Sequence, residues 1–342
     1  MKIEKIYFLE SDFGVPIKNK LLYSPPFRPQ ITYPKRVLTD IFYFFKLLFL
    51  PKKAIVIAPW GLFWIPAIWN RVKIKNFKIV SLTCDTFLSE KTINERNQGL
   101  VKKLKYMLAK YTYGEVSYFI YCTDVVKEQL LRFGVEKEKL IFKYQEWIRD
   151  DRGFVKLKPN LEKNNFIFIG HYYNVLQKRL DILIDAFLRL RKEHKDARLD
   201  VIGRDWEKFF NKKEMENFKQ NGVVFHGSTY DISKFLEKSA FYVHPGEFEG
   251  FGLVVIESML SGLIPLVSET TGAKEAVEKV SKELITKLSA NSFYQKMKWL
   301  ISLPLHNRQT LSSKARQIAK QYNQKNSVPT LSKKLEWIIR NK

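Results

Sequence analysis

Between Ala240 and Val267 the chain changes character three times. The apolar run Ala240–Val243 gives way at Pro245 to a loop with glycines at 246, 250 and 252. Leu253 to Leu260 is apolar and helical, Gly262 breaks it, and Ile264 to Val267 is apolar again. A strand, a glycine loop, a helix and a second strand in this order favour a parallel sheet with its strands buried on both faces. The loop and helix start also make an anion site. Backbone N–H groups are unpaired there, the helix dipole turns its positive end outward, and glycines admit a phosphate close to the backbone. A phosphorylated ligand is therefore expected over Gly250, Phe251, Gly252 and Leu253. Glu249 and Glu257 stand on either side of the helix start, and a carboxylate is suited to accept hydrogen bonds from the paired hydroxyls of a sugar or ribose. By spacing alone the two glutamates fit a solvated helix start equally well.

The rest of the chain repeats the alternation. In the first half, strands are expected at Ile3–Leu9, Ala54–Ala58, Phe77–Leu82, Ser117–Cys122 and Ile141–Tyr144, with helices at Leu62–Trp69, Gly99–Tyr113 and Asp124–Phe133. In the second half, strands are expected at Phe166–Ile169, Ala197–Ile202 and Val223–Phe225, with helices at Arg179–Arg191 and Ile232–Lys238. The polar stretch 148–164 reads as a linker, and the chain from Leu311 onward as helical and basic. The 342 residues suit two domains better than one. The pattern occurs once in each half, which predicts an α/β protein of two Rossmann-like, doubly wound parallel-sheet domains facing a cleft. They are placed at 1–150 and 151–321, with a C-terminal helix at 322–342 returning towards the first domain.

Two cysteines, Cys84 and Cys122, cannot frame a disulfide scaffold and fit a reducing compartment. The opening residues read as a strand rather than a secretory leader, and no run reaches the length of a spanning helix. A cytoplasmic location is expected. The formal net charge of +24 is shared by both halves and is compatible with nucleic acid, anionic lipid, phosphorylated substrates or a solvated lysine surface. Two stretches join charge to apolar surface. Val37–Leu50, flanked by lysine and arginine, reads as a buried helix or one lying at a membrane interface. Gly99–Tyr113 is a basic amphipathic helix, read equally as packed with a solvated lysine face or as membrane-facing.

Glu249, Gly250, Phe251, Gly252, Glu257, Ser261, Gly262 and Pro265, followed by Gly272 and Glu275, form a run that resembles the signature of the retaining family 4 glycosyltransferases of the GT-B fold. The resemblance covers most of 165–280. It implies transfer of a sugar from a nucleotide-sugar donor, UDP- or GDP-linked, to an acceptor hydroxyl, with no cofactor and no metal. Glu249 would touch the transferring sugar and Glu257 the donor ribose. Lys178 looks like the family lysine that pairs with the donor diphosphate. Gly170, Gly203, Arg204 and Gly227 match the loops after successive strands. Where the family has Gly-Arg and Lys-Gly, this chain has Gly170–His171 and Lys178–Arg179, so His171 or Arg179 is the candidate for the second cationic contact. The first half is less typical. Only Gly14 stands where the family has two adjacent glycines, and Cys84–Asp85 stands for the usual His-Asp, which carries Asp85 over as a catalytic candidate and makes none of Cys84.

The acceptor, a lipid-linked sugar or a growing glycan, is expected on the first domain, with peripheral contact to anionic membrane. Three other readings compete. A sugar-nucleotide epimerase of the same fold lacks this glutamate and glycine run. A glycosyltransferase-like protein that binds the donor but catalyses weakly is kept open by Gly14 and Cys84. A nucleic-acid-binding protein is suggested by charge alone, and no recognition motif supports it, so no nucleic-acid partner is expected.

Overall fold

The computed structural model describes residues 6–8, 41–42, 44–59, 62–84, 100–148, 153–171, 175–229 and 231–341. The chain divides into two compact units, one of residues 1–145 with 325–342 and one of residues 146–324.

The first unit holds a parallel five-stranded sheet in the order β1-β2-β3-β4-β5. Its strands are β1 (Ile6–Phe8), β2 (Ile55–Pro59), β3 (Lys78–Thr83), β4 (Tyr118–Tyr121) and β5 (Leu140–Lys143). Ile55 to Ala58 are all buried, as a central parallel strand covered on both faces requires. The register runs Ile57↔Val80↔Tyr118 and shifts at Phe119/Ile120 between β4 and β5. Helices α1 (Trp64–Arg71), α2 (Leu100–Thr112) and α3 (Asp124–Phe133) alternate with the strands. Thr123 caps α3 by accepting from the Val126 N–H, and Gly134, in the left-handed conformation at φ 106°, ends it.

The second unit holds a parallel six-stranded sheet in the order β11-β10-β9-β6-β7-β8. Its strands are β6 (Asn165–Ile169), β7 (Arg198–Ile202), β8 (Val223–Phe225), β9 (Phe241–His244), β10 (Ile264–Ser268) and β11 (Ile285–Thr286). Between them lie α4 (Val175–Lys178), α5 (Leu180–Glu193), α6 (Lys212–Gln220), α7 (Ser233–Lys238), α8 (Leu253–Leu260) and α9 (Lys274–Val280). Helices α10 (Ala290–Ser302) and α11 (Leu305–Ala319) follow β11. Phe166 and Phe241 stack at 4.9 Å between neighbouring strands at the centre of the core.

The structure bears on three expectations. Residues 153–164 are not a free linker. Phe154 is buried, Asn160 donates its N–H to Glu237 O at 2.9 Å, and the Arg316 guanidinium donates to Leu157 O at 2.8 Å. In the basic C-terminal stretch α11 ends at Ala319 and α12 (Gln324–Asn341) begins after a break, within the 322–342 segment read as a C-terminal helix. From Lys325 onward α12 belongs with the first unit. Leu331, Leu335 and Ile338 form its buried stripe, and Trp337 meets Phe142 edge-on at 5.2 Å. The interfacial or buried stretch at 37–50 is described from Ile41. It has one buried face, with Leu47 enclosed and Phe44 stacked 4.4 Å from Trp69, and one exposed face.

Candidate active site

In the second sheet the chain runs outward from β6 through β7 and β8, then returns to the other side of β6 for β9, β10 and β11. The reversal falls between β6 and β9. Open α/β sheets bind ligands outside the carboxyl ends of the strands at such a switch point. The loops leaving β6 and β9 are those that carry Gly170, His171 and Glu249.

Gly252 is the N-cap of α8, with φ 82° and no side chain capping the helix. Only glycine enters that backbone region without strain; Val255 N–H donates to Gly252 O at 2.9 Å, and the N–H groups of Leu253 and Val254 before it have no acceptor within the helix. Phe251 turns its ring inward and is buried, 5.8 Å from the Tyr322 ring, so its side chain pins the loop while its backbone stays in the site. Further bonds hold the loop in place. Gly272 N–H donates to Glu249 O at 2.8 Å, and Glu247 N–H donates to Gln177 O at 2.7 Å. The Thr270 hydroxyl donates to Gly246 O at 2.8 Å.

Lys178, the last residue of α4, brings its Nζ to 2.8 Å from Glu249 Oε2, and both side chains are largely enclosed. Burial pushes the Glu249 carboxyl upward, but the Lys178 charge and the neighbouring His244 outweigh it and hold the pKa at about 2. His244 Nε2 lies 3.7 Å from Glu249 Oε2. This is beyond hydrogen-bond length, so the imidazole acts on Glu249 as a nearby dipole. His244 is itself fully buried with its pKa lowered, first by burial, and is neutral at pH 7. Its Nδ1 lies 3.2 Å from the Tyr242 hydroxyl. Burial, with the charges of Glu249 and Glu257, raises the Tyr242 phenol well above its usual range.

This gives a pH-dependent expectation. The folded-state pKa of Glu249 lies below its ordinary 4.5, so its contribution to stability is fully present above about pH 4.5 and is lost as pH falls towards 2. In urea unfolding, the stability gap between wild type and Glu249→Gln is expected to narrow steadily below about pH 4.5. A gap that stays constant down to the lower limit would show that the carboxylate is not held ionised by Lys178.

Around this pair the other expected residues fall as follows. Gly203, at φ 149°, brings the loop after β7 against the Gly170 carbonyl, which accepts from Trp206 Nε1 at 2.9 Å. Arg204 N–H donates to His171 Nδ1 at 3.1 Å. The pKa of His171 is lowered by burial, then by Arg204 and Lys178. It is therefore a neutral imidazole at pH 7, which leaves Arg179 as the charged one of the two candidates for the second cationic contact. Arg179 occupies a left-handed position at φ 45°, where the family pattern has glycine. Its guanidinium bonds Glu247 Oε2 at 2.6 Å and both oxygens of Asp181. The expected second cation thus has two carboxylate partners already. Cys84 follows β3 and is half-buried, and Asp85 lies outside the described residues.

Several groups near the strand ends were not singled out from the sequence. Tyr242 and His244 are two apart on β9 and share a face, which period-two reading of the run would have shown. Glu247 was passed over as loop. Asp200, buried in mid-strand, accepts from Arg198 and pairs with His226 Nε2 at 2.6 Å. A lone acid inside the run Arg198–Ile202 was the available signal.

The arrangement is a helix start without a side-chain cap beside a buried lysine–carboxylate pair, at the switch point of a parallel sheet. This is the architecture of a Rossmann-like unit. Residues 150–318 match the family described as glycosyl transferases group 1, and the second unit is a domain of that family. An uncharacterized glycosyltransferase of Haemophilus influenzae is 32% identical over 128 residues, which is 34% of this chain and 33% of that protein. The match therefore spans about a third of that relative. Among solved structures, the sucrose-phosphate synthase of Thermosynechococcus elongatus superposes with TM-score 0.68 at 15% identity, covering 94% of this chain and 84% of the other. The S. aureus TarM complex containing UDP gives TM-score 0.63 at 19% identity, with 89% and 58% covered. The two Rossmann-like parallel-sheet units are those of the GT-B fold.

Proposed function

We propose that this chain transfers a sugar, with retention of anomeric configuration, from a nucleoside diphosphate sugar to an acceptor hydroxyl. The observation that carries the reading is the buried Lys178–Glu249 pair beside the uncapped start of α8. As the sugar–phosphate bond breaks, negative charge grows on the leaving diphosphate. The N–H groups from Phe251 to Leu253 and the Lys178 ammonium are fixed beforehand to receive it, which lowers the barrier more than it stabilises the ground state. Glu249 holds hydroxyls of the transferring sugar, and Glu257, on the second turn of α8, holds the ribose. Gly203, Arg204 and His171 border the nucleotide. The acceptor oxygen bonds to the anomeric carbon on the face the diphosphate leaves, and its proton passes to the departing phosphate oxygen. In this reading the charge stabilisation comes from Lys178 and the helix start, not from a metal ion, so EDTA leaves the rate unchanged. The UDP held by TarM supports a uridine donor over the guanosine alternative. The acceptor, a lipid-linked sugar or growing glycan, is assigned to the first unit.

A thermal-shift panel of UDP, GDP, ADP and their sugars tests the donor site. One nucleoside diphosphate is expected to raise the wild-type Tm clearly and that of Glu257→Ala much less. Equal shifts in both proteins would remove Glu257 from the ribose, and no shift with any nucleotide would overturn the donor reading.

A further inference from the structure

The first unit carries a surface that glycosyl transfer does not require. Between Ile41 and Cys84 the sequence has seven Lys and Arg and no Asp or Glu. The described helical residues 41–42 and 44–46 continue into a 3-10 turn at Leu47–Phe49. The inner side of this element is anchored by Leu47 and by Phe44 against Trp69. Its outer side exposes Ile41, Phe45 and Leu48, and Phe49 is 88% exposed at the tip. The turn after α1 lies alongside. Lys75 Nζ donates to Leu48 O at 2.8 Å and to Leu50 O at 2.5 Å, and exposed Val72 and Ile74 flank Lys73 there. Arg71 extends the surface by stacking over Tyr111 at 5.0 Å. Tyr111 stands with exposed Leu104 and Met107 on the outer face of α2, whose lysines include Lys103, Lys105 and Lys110.

We propose that this surface docks on an anionic lipid bilayer. Phe45, Phe49, Val72 and Ile74 would enter the acyl boundary, and Lys52, Lys53 and Lys73 would meet the headgroups. The charge pattern selects this occupant. Large apolar tips ringed by lysines match the two layers of a bilayer surface, apolar below and anionic above. A second copy of the chain would set one lysine ring against another, and like charges across an interface oppose pairing. Nucleic acid would satisfy the lysines but offers no apolar layer for Val72, Ile74 and Met107. No helix among the described residues is long and apolar enough to cross a membrane, so the contact is that of a protein lying on the surface. The inference concerns the first unit alone and stands apart from the donor reading: vesicle binding and nucleotide binding can fail separately.

Co-sedimentation with vesicles tests it. The protein is expected to bind vesicles of equimolar phosphatidylcholine and phosphatidylglycerol, to be released by salt, and to bind phosphatidylcholine alone weakly. Reversing Lys52 and Lys53 to Glu is expected to weaken binding by at least about twenty-five-fold, at roughly fivefold for each lysine charge near an anionic surface. Phe45→Ser with Phe49→Ser removes apolar anchors and is expected to lower binding at least about tenfold on the anionic vesicles. Because these four side chains are exposed, both variants keep the wild-type Tm and nucleotide response, which shows them folded. Failure to bind anionic vesicles at low salt, or binding unchanged in both variants, overturns the proposal. So does self-association that the Phe45/Phe49 variant abolishes, since the surface would then be an interface between copies.

Discussion

Glu249→Ala is expected to lose sugar transfer by at least about a hundredfold in kcat while continuing to bind the nucleoside diphosphate. Its carboxylate is the partner of Lys178 at 2.8 Å in a largely enclosed site. Removing it leaves an ammonium buried without its counter-charge, at a cost of about 3 kcal/mol. In the ligand-free protein that is a fall of roughly 10 °C in Tm for a unit of this size. A bound diphosphate supplies negative charge to the same ammonium. The nucleotide should therefore raise the Tm of Glu249→Ala by more than it raises that of wild type. The two readouts separate chemistry from binding. If nucleotide binding disappears together with transfer, Glu249 is part of the nucleotide site rather than a contact to the sugar. If transfer persists, the proposed role of the pair is wrong.

Gly203→Ala is expected to be the most damaging small substitution in the second unit. At φ 149° the backbone lies where side chains are rarely tolerated. An added Cβ would also fall inside the carbonyl of Gly170, which is backbone and cannot rotate away. Relief requires the loops after β6 and β7 to separate. That breaks the Trp206–Gly170 bond and displaces His171 from Arg204. A loss of at least about 3 kcal/mol follows from strain and broken contacts together, with weakened nucleotide binding in whatever folds. Gly227→Ala is the control. Its φ is 67°, and nothing lies within 4 Å of the added carbon, so conformational strain alone costs about 1 kcal/mol. Equal Tm losses in the two variants would show that the close approach of Gly203 to Gly170 does not matter.

The stretch from Glu249 to Leu260 was readable because its signals are local. Glu249, Gly252 and the start of α8 lie within a few residues, and a strand, a glycine loop and a helix carry their geometry with them. Helix α3 and strand β8 were read at their observed bounds, since capping, turn and burial signals sit next to the elements they define. Less of the second unit was legible where elements are weakly apolar. The charged helix α6, with its Asn211 capping box, was not anticipated, because one apolar side chain faces the core and the rest face water. The 153–164 segment looked like a linker because it is polar, yet its backbone carbonyls hold Arg308 and Arg316, a partnership that composition does not show.

The sequence by itself determined the alternation of strands and helices, the parallel sheets this implies, and a glycine-led helix start flanked by two glutamates. These depend on neighbours in the chain, where periodicity, glycine and helix-end physics act directly. Only the tertiary structure decided the charge states and partners. Lys178 and Glu249 are 71 residues apart, and their pairing follows from β6 and β9 becoming neighbours across the switch point. The same folding turned Arg179, one of two candidates for the second cationic contact, onto Glu247 and Asp181, made His171 neutral, and put neutral His244 beside Glu249. It also decided which side of the 41–49 segment is anchored and which is exposed. A side chain's charge and surroundings are set by what the fold brings within a few ångströms and by how much water it removes, and neither is fixed by position along the chain.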